Sequence, residues 1–398
     1  MSWSVACRVL IFPPAAVPES PPVPAAIRWH GLDLLRGVAM MLGVYLHGVI
    51  PYMKARPQWP VHDAAPIFFF DFTVAAIHGF RMQLFFVLAG FFARLVAERR
   101  GMAAMMRQRA VRIGIPFFVG MITLLPLTLI AWTWAARITQ AEMPPVSSNR
   151  DWTAIPTAHL WFIEYLLFYY LAAGAVYLVS GTKTWIRLTG GFSRKLASPW
   201  LAVLLPCVTV GFLFGGPAIG EVEEAGVRLL PAWRGPVYYG VYFAFGWVLH
   251  RCRDGLAGLT QGRILRVVLM VSGFLGYAGC VGRQQQFGED RFLNLLVGNY
   301  AAELYAWSAS LLLIGLALRS FNRQRTWARY LADSSYWFYL AHLPLELLVQ
   351  AVVAGWAVPA TVKAGTVIAS TLLVLWGSYH WCVRATIIGR VLNGRRPA

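Results

Sequence analysis

The sequence predicts an all-α, polytopic integral membrane protein with about ten transmembrane helices and both termini cytoplasmic. Three observations carry that fold class. The chain is 398 residues long, 58% hydrophobic and only 13% charged, far more apolar than a soluble core of this size requires. Its apolar runs recur at lengths suited to a bilayer, which a helix of about 20 residues crosses at 1.5 Å per residue. Lys and Arg divide unequally between alternate connections: 25 of the 35 fall on one side with both tails, nine on the other, and Arg81 inside an apolar run. Such a bias sets orientation, so the richer side is read as cytoplasmic.

The apolar runs fall at 34–52, 66–93, 115–136, 158–179, 200–218, 236–250, 264–281, 297–318, 335–356 and 364–383. Residues 1–27 carry six prolines between Pro13 and Pro24 and read as a disordered, Pro-rich cytoplasmic tail. Their apolar run is too short, and too soon broken by proline, for a secretory signal. Residues 28–385 read as one transmembrane domain and 386–398 as a basic cytoplasmic tail, with no repeat or second soluble domain. Abundant Trp, Tyr and Phe suit the headgroup depth on either side of a bilayer. The net charge of +18 invites a nucleic-acid reading, but topology accounts for it, so membrane lipid and no nucleic acid is the expectation. Five scattered cysteines without paired spacing argue against a disulfide framework and against a metal site. Whether a second copy associates to form a homo-oligomer is left open.

The informative residues are the polar ones inside these runs. In the first run, Arg36 and His47 are 11 residues apart, a spacing that returns to within about 20° of the same helix face and separates them by about 16 Å. A charged group inside a membrane helix costs about 2.5–3.5 kcal/mol on insertion scales. Two of them on one face suggest a polar track into the membrane, taken here as an active site. The second run, AIHGFRMQLFFVLAGFF (76–92), puts His78 and Arg81 three apart on a shared face. Counted inward from their cytoplasmic ends, His47 and His78 reach a similar depth, about 20 Å, and are expected to face each other.

The fourth run opens with His159, Trp161 and Glu164. His159 near the outer interface is explained equally well by anchoring, whereas Glu164 is deeper. In the ninth, Asp333 or a following serine is expected to cap the helix. Pro344, two residues after His342, is expected to free backbone carbonyls and bend it. His30, His62, His250 and His380 sit in tail, loop or helix ends and are assigned to packing. Glu303 and Glu346 are intramembrane carboxylates with no evident partner. Arg109 and Arg112 adjoin the third run, where positive-inside topology explains most of the charge, but can in addition hold phosphates bidentately. No phosphate-binding glycine loop, nucleophile-elbow serine or zinc pattern is present.

Together Arg36 with His47, FFVLAGFF (85–92), Arg109/Arg112 and SYWFYLAHLP (335–344) resemble the acyltransferase-3 family of integral membrane O-acyltransferases. Each motif is weak alone, but their order and spacing span most of the chain. Residues 76–92, AHLWF (158–162) and the end of the chain look like the glucan-biosynthesis succinyltransferases within it; the Pro-rich tail is a departure. The resemblance implies ten helices, a cytoplasmic acyl-CoA donor (succinyl-CoA favoured, acetyl-CoA the alternative), no permanently bound cofactor, and an outward-facing glucan or other glycan acceptor in the cell inner membrane. It marks His47 as catalytic and Arg36 as its companion. A neutral imidazole can take the proton from a sugar hydroxyl during attack, and Arg81 can stabilise charge on the thioester carbonyl, with His78 beside it. Arg36, Arg109, Arg112 and His342 are then expected to bind acyl-CoA, and His159, Trp161 and Glu164 the acceptor. The competing class is a transporter or flippase for a sugar or lipid-linked sugar, coupled through Glu164, Glu303 and Glu346. It would favour internal duplication, which is not seen. A scaffold without chemistry would let the polar helix residues be replaced freely.

Overall fold

The computed structural model describes residues 29–141, 155–188, 198, 200–222, 226, 228–287, 292–321 and 323–394. The Pro-rich tail, apart from the start of the domain at Trp29, and the last four residues of the basic tail lie outside the described residues. Among these residues the structure is all-helical: α1 (His30–Val49), α2 (Phe68–Arg100), α3 (Met102–Arg109), α4 (Ile115–Thr139), α5 (Trp161–Leu188), α6 (Leu201–Thr209), α7 (Arg234–Arg251), α8 (Arg263–Phe287), α9 (Phe292–Ser320), α10 (Thr326–Val353), α11 (Ala360–Ser378) and α12 (Ile387–Asn393). Eight helical stretches, from His30–Tyr52 to Ala360–Val383, are long and apolar enough to cross a membrane, so the chain is a multi-pass membrane protein. The other two expected runs are shorter or more polar. Leu201–Leu213 contains Pro206 and tightens into a 3-10 helix from Val210, and α7 spans 18 residues rich in Tyr and Gly with Arg at both ends.

α1 and α10 pack along each other. α1 lies against α2, α9, α10 and α11, and α10 also packs on α4 and α11. α7 lies along α2, and α8 along α9. Two glycines explain how α2 and α7 come so close: a Cβ on Gly90 would strike the Phe243 carbonyl oxygen, and one on Gly246 the Val87 carbonyl oxygen. In lipid, small residues that let backbones touch replace the hydrophobic drive that packs soluble helices. On the outside of the bundle, Ile264, Val268, Val271 and Leu275 of α8 are exposed, an apolar stripe fitted to hydrocarbon.

α2 stops where Gly101 takes φ 85°, its N–H meeting the Ala97 carbonyl. Only glycine adopts that backbone readily. Between α3 and α4, residues Ala110–Gly114 form a π-turn carrying Arg112. α10 corrects one expectation. It begins at Thr326, so Asp333 does not cap it but sits inside the helix, 3.9 Å from Arg329 one turn back. The segment from Thr326 has no breaker, so the helix extends beyond its apolar part. α10 is continuous through Pro344.

The connection between α1 and α2 is folded against the bundle rather than being a simple hairpin. Asp71 accepts hydrogen bonds from the backbone of Lys54 and Ala55, both at 2.8 Å. Asp63 pairs with Lys363 of α11 at 2.8 Å, both side chains buried. The Thr139 hydroxyl donates to the Pro60 carbonyl at 2.6 Å. These ties hold Trp59 over the end of α1.

Candidate active site

His47, His342 and His159 come together from three separate elements. The His47 ring lies 5.3 Å from that of His342, which lies 5.4 Å from that of His159. On its other side His47 stacks on Trp59 at 5.9 Å, and Trp59 meets Trp132 of α4 edge-on at 5.2 Å. Gln350 ties this together: its amide donates to the His47 carbonyl at 2.9 Å and accepts from the Trp59 indole at 2.8 Å. His342, Glu346 and Gln350 are spaced by four residues on α10, so one helix face supplies all three.

His159 is held by a strained turn. Ala158 sits at φ 45° although it is not glycine, a backbone state that surrounding structure must over-determine. Here the Thr157 and Ala158 N–H groups both meet the Gly226 carbonyl, at 2.9 and 3.0 Å. Tyr339 donates to the His159 carbonyl at 2.6 Å.

Arg81 is buried from α2 and lies over Gly43 of α1, where any side chain would collide with the guanidinium. It has no ion-pair partner among the described residues; Tyr339, Tyr239 and Glu346 are among the groups that interact with it electrostatically. His342, Arg81, His159 and His78 are the groups close enough to act electrostatically on His47. His78 is exposed on its helix, and the rings touching His47 are those of Trp59 and His342, so the expected face-to-face pair of His47 and His78 is an electrostatic neighbourhood, not a ring contact.

Several buried polar atoms here have no hydrogen-bond partner among the described residues: His47 Nδ1, His159 Nδ1, His342 Nε2, Arg81 Nε and both oxygens of Glu346. Buried polar groups are normally satisfied, so such a concentration points to something bound or transferred at this place. Glu164 is buried too, its oxygens unpartnered and the Thr157 hydroxyl beside it but out of bonding geometry. Trp161 belongs to an aromatic cluster with Tyr165, Tyr239 and Phe86.

At the opposite end of α1, Arg36 pairs loosely with Asp33 at 3.8 Å and lies over the Phe92 ring. Arg109, Arg36 and Arg100 all act electrostatically on Arg112, which puts the three arginines singled out in the sequence, Arg36, Arg109 and Arg112, in one electrostatic neighbourhood. Arg109 stacks over Tyr170 with its Nε unpartnered. Arg112 is partly committed, donating to the Asn393 carbonyl at 2.8 Å and so fastening α12.

Residues 29–381 match the family profile described as an acyltransferase domain. The chain belongs to the acyltransferase-3 family. Curated relatives named "Glucans biosynthesis protein C" in Escherichia coli strains SE11, HS and Crooks are each 29% identical over 199 residues, 48% of this chain and 49% of theirs. The chain thus aligns with about half the length of the curated relatives it matches. No solved structure matches it with significance.

In this acyltransferase-3 chain the carboxylates expected to stand alone behave differently. Glu303 accepts from Tyr238 at 2.6 Å, Tyr242 at 2.5 Å and Thr209 at a shorter distance. Hydroxyls from α6 and α7, not an arginine, answer it. Glu346 is the one near Arg81. His250 packs on Phe91, 3.5 Å from Glu98, as a packing histidine should. No group of three or more His, Cys, Asp or Glu that could hold a metal occurs among the described residues. Trp59, Trp132, Gln350 and Glu346 are site residues that sequence reasoning did not place here.

Proposed function

We propose that this chain moves an acyl group, succinyl in preference to acetyl, from cytoplasmic acyl-CoA to a hydroxyl of an extracytoplasmic glucan, with His47 as general base. The reading places ten crossings in the cell inner membrane with both ends cytoplasmic. The observation that carries it is the convergence of His47, His342, His159 and Arg81 with unmet nitrogens in the interior of the bundle, about three turns of α1 from Arg36 and the arginines near it.

The chemistry follows from placement. Arg36, Arg109 and Arg112 hold the CoA phosphates, and the pantetheine arm extends along α1 towards His47, about 16 Å away. The acceptor hydroxyl gives its proton to His47 as its oxygen attacks the thioester carbonyl. The carbon–sulfur bond breaks, and the thiolate leaves as CoA after taking the proton from the imidazolium. Arg81, buried without an ion-pair partner among the described residues, is positioned either for the negative carbonyl oxygen or for the free carboxylate of a succinyl group. Trp59, stacked on His47, covers the ring from the side of the α1–α2 connection. His159, Trp161 and Glu164 line the acceptor side. The relatives' name supports a glucan acceptor.

The transporter alternative loses one of its three coupling carboxylates to the hydroxyl shell of Glu303. The test is purified protein in detergent, given succinyl-CoA, acetyl-CoA or neither, with a glucan oligosaccharide. Acceptor-dependent CoA release with label transferred to the glucan is expected, faster from succinyl-CoA. Transport needs a sealed vesicle, so no transfer in detergent would contradict the proposal.

A further inference from the structure

The histidines beside His47 have their tautomers set by backbone carbonyls. Pro344 has no N–H, so the Leu340 carbonyl four residues earlier loses its helical partner. His159 Nε2 lies 2.9 Å from that oxygen. A carbonyl only accepts, so Nε2 carries the proton and the lone pair of neutral His159 is on Nδ1. His342 Nδ1 lies 2.7 Å from the Tyr339 carbonyl and 3.1 Å from that of Phe338, so its lone pair is on Nε2. Both lone pairs belong to buried nitrogens without a partner. Two rings that both present lone pairs cannot bond each other; each needs a donor. His47, 5.3 Å from His342 and tilted 43° to it, has a buried Nδ1 that also lacks a partner.

We propose that His342 is a positioning residue for His47: the two bare nitrogens, unbonded to each other in this structure, pair when the His47 ring turns towards His342, His47 Nδ1–H donating to His342 Nε2, so that His47 Nε2 is the nitrogen that takes the proton of the acceptor hydroxyl. The proposal rests on the reading of His47 as general base. It assigns His342 a different task from the donor binding expected from the sequence. A base whose second nitrogen is bonded is held in one tautomer and one orientation, and the imidazolium formed during attack has an acceptor for its other proton. A carboxylate does this in the serine-protease triad. Here a neutral imidazole does it, in a site where Arg81, His159 and His78 also act electrostatically on His47 and where adding a carboxylate at that position would draw the Arg81 guanidinium. No proton is lost in the cycle: it passes from hydroxyl to His47 Nε2 to the departing thiolate, while the Nδ1 proton stays shared with His342. The fixed direction of the His342 lone pair comes from its own helix. Nδ1 bonds back to carbonyls three and four residues earlier on α10.

The test uses the full chain in detergent with succinyl-CoA and a glucan oligosaccharide, comparing His342→Leu, which cannot accept, with His342→Gln, whose amide oxygen can. The leucine variant is expected to lose about 10²-fold or more in kcat with KM for succinyl-CoA within about twofold, and glutamine to recover about tenfold of that loss. A rise in KM for succinyl-CoA with kcat kept would return His342 to donor binding and overturn the proposal. So would an unchanged kcat in the leucine variant, or equal loss in both variants. Should the leucine variant fail to fold, His342→Asn, whose amide oxygen is too short to reach, replaces it in the same contrast with glutamine. His47→Ala run alongside separates the two claims. If it keeps transferring, the general-base reading itself fails; if it is dead while His342→Leu is normal, only the positioning role fails.

Discussion

Two polar clusters lie in the interior of this bundle, and they differ in how completely their atoms are matched. Around Glu303, Tyr238, Tyr242 and Thr209 supply hydroxyls to the carboxylate, Trp307 donates to Thr209 at 3.1 Å, and Gln83 donates to Tyr238 at 3.0 Å. Around His47, ring nitrogens, a guanidinium nitrogen and a carboxylate are left without partners. An unmet polar group in lipid costs several kcal/mol. The Glu303 carboxylate is one the fold has closed, although the Gln83 amide oxygen at the margin of its shell is unpartnered among the described residues, whereas the second cluster is one the fold holds open. The contrast separates a carboxylate that holds helices together from residues kept for a substrate, although both look alike as isolated polar letters in apolar helices.

The sharpest way to break the contrast is His47→Ala. Transfer is expected to fall by about 10²–10⁴-fold, with the thermal unfolding midpoint in detergent unchanged. Equal loss of activity and stability would make His47 a structural residue like Glu303. Next comes the buried pair that fastens the α1–α2 connection. Lys363→Met leaves Asp63 buried and unpaired and is expected to cost about 3–5 kcal/mol, read from unfolding in detergent. A change under about 1 kcal/mol would mean that the pair is solvated as a surface pair is.

Arg81→Leu is expected to remove about 2.7–4 kcal/mol of transition-state stabilisation with succinyl-CoA, and less with acetyl-CoA if the guanidinium holds the succinyl carboxylate. Equal losses for both donors would leave it the carbonyl alone. Glu303→Gln completes the series with the smallest effect. It weakens charge-assisted hydrogen bonds and is expected to lower stability by about 1–3 kcal/mol while transfer per folded molecule is retained. A selective loss of transfer would move Glu303 into the reacting cluster.

Much of this arrangement was legible in the sequence, and what escaped did so for stated physical reasons. Apolar length gave the spanning helices, and the 11-residue interval of Arg36 and His47 sits on an unbroken α1. Pro344 was expected to free a carbonyl, and the Leu340 oxygen is that carbonyl, accepting from His159 at 2.9 Å. The interval of four between His342, Glu346 and Gln350 was also readable as one helix face, a signal that would have added the last two to the site. Trp59 was not readable. Its partner Gln350 is 291 positions away, and no local pattern announces a loop that folds back over a helix end. The shell of Glu303 escaped likewise, because its hydroxyls come from α6 and α7. Asp333 looks like a cap only because the apolar run starts at 335, whereas α10 begins nine residues before it, at Thr326.

The most direct test of the account is a structure of the protein with a non-hydrolysable succinyl-CoA analogue. The account predicts the phosphates among Arg36, Arg109 and Arg112, the pantetheine arm along α1, and the acyl carbonyl between His47 and Arg81. Density for the analogue away from α1, or a carbonyl far from the His47 ring, would contradict it.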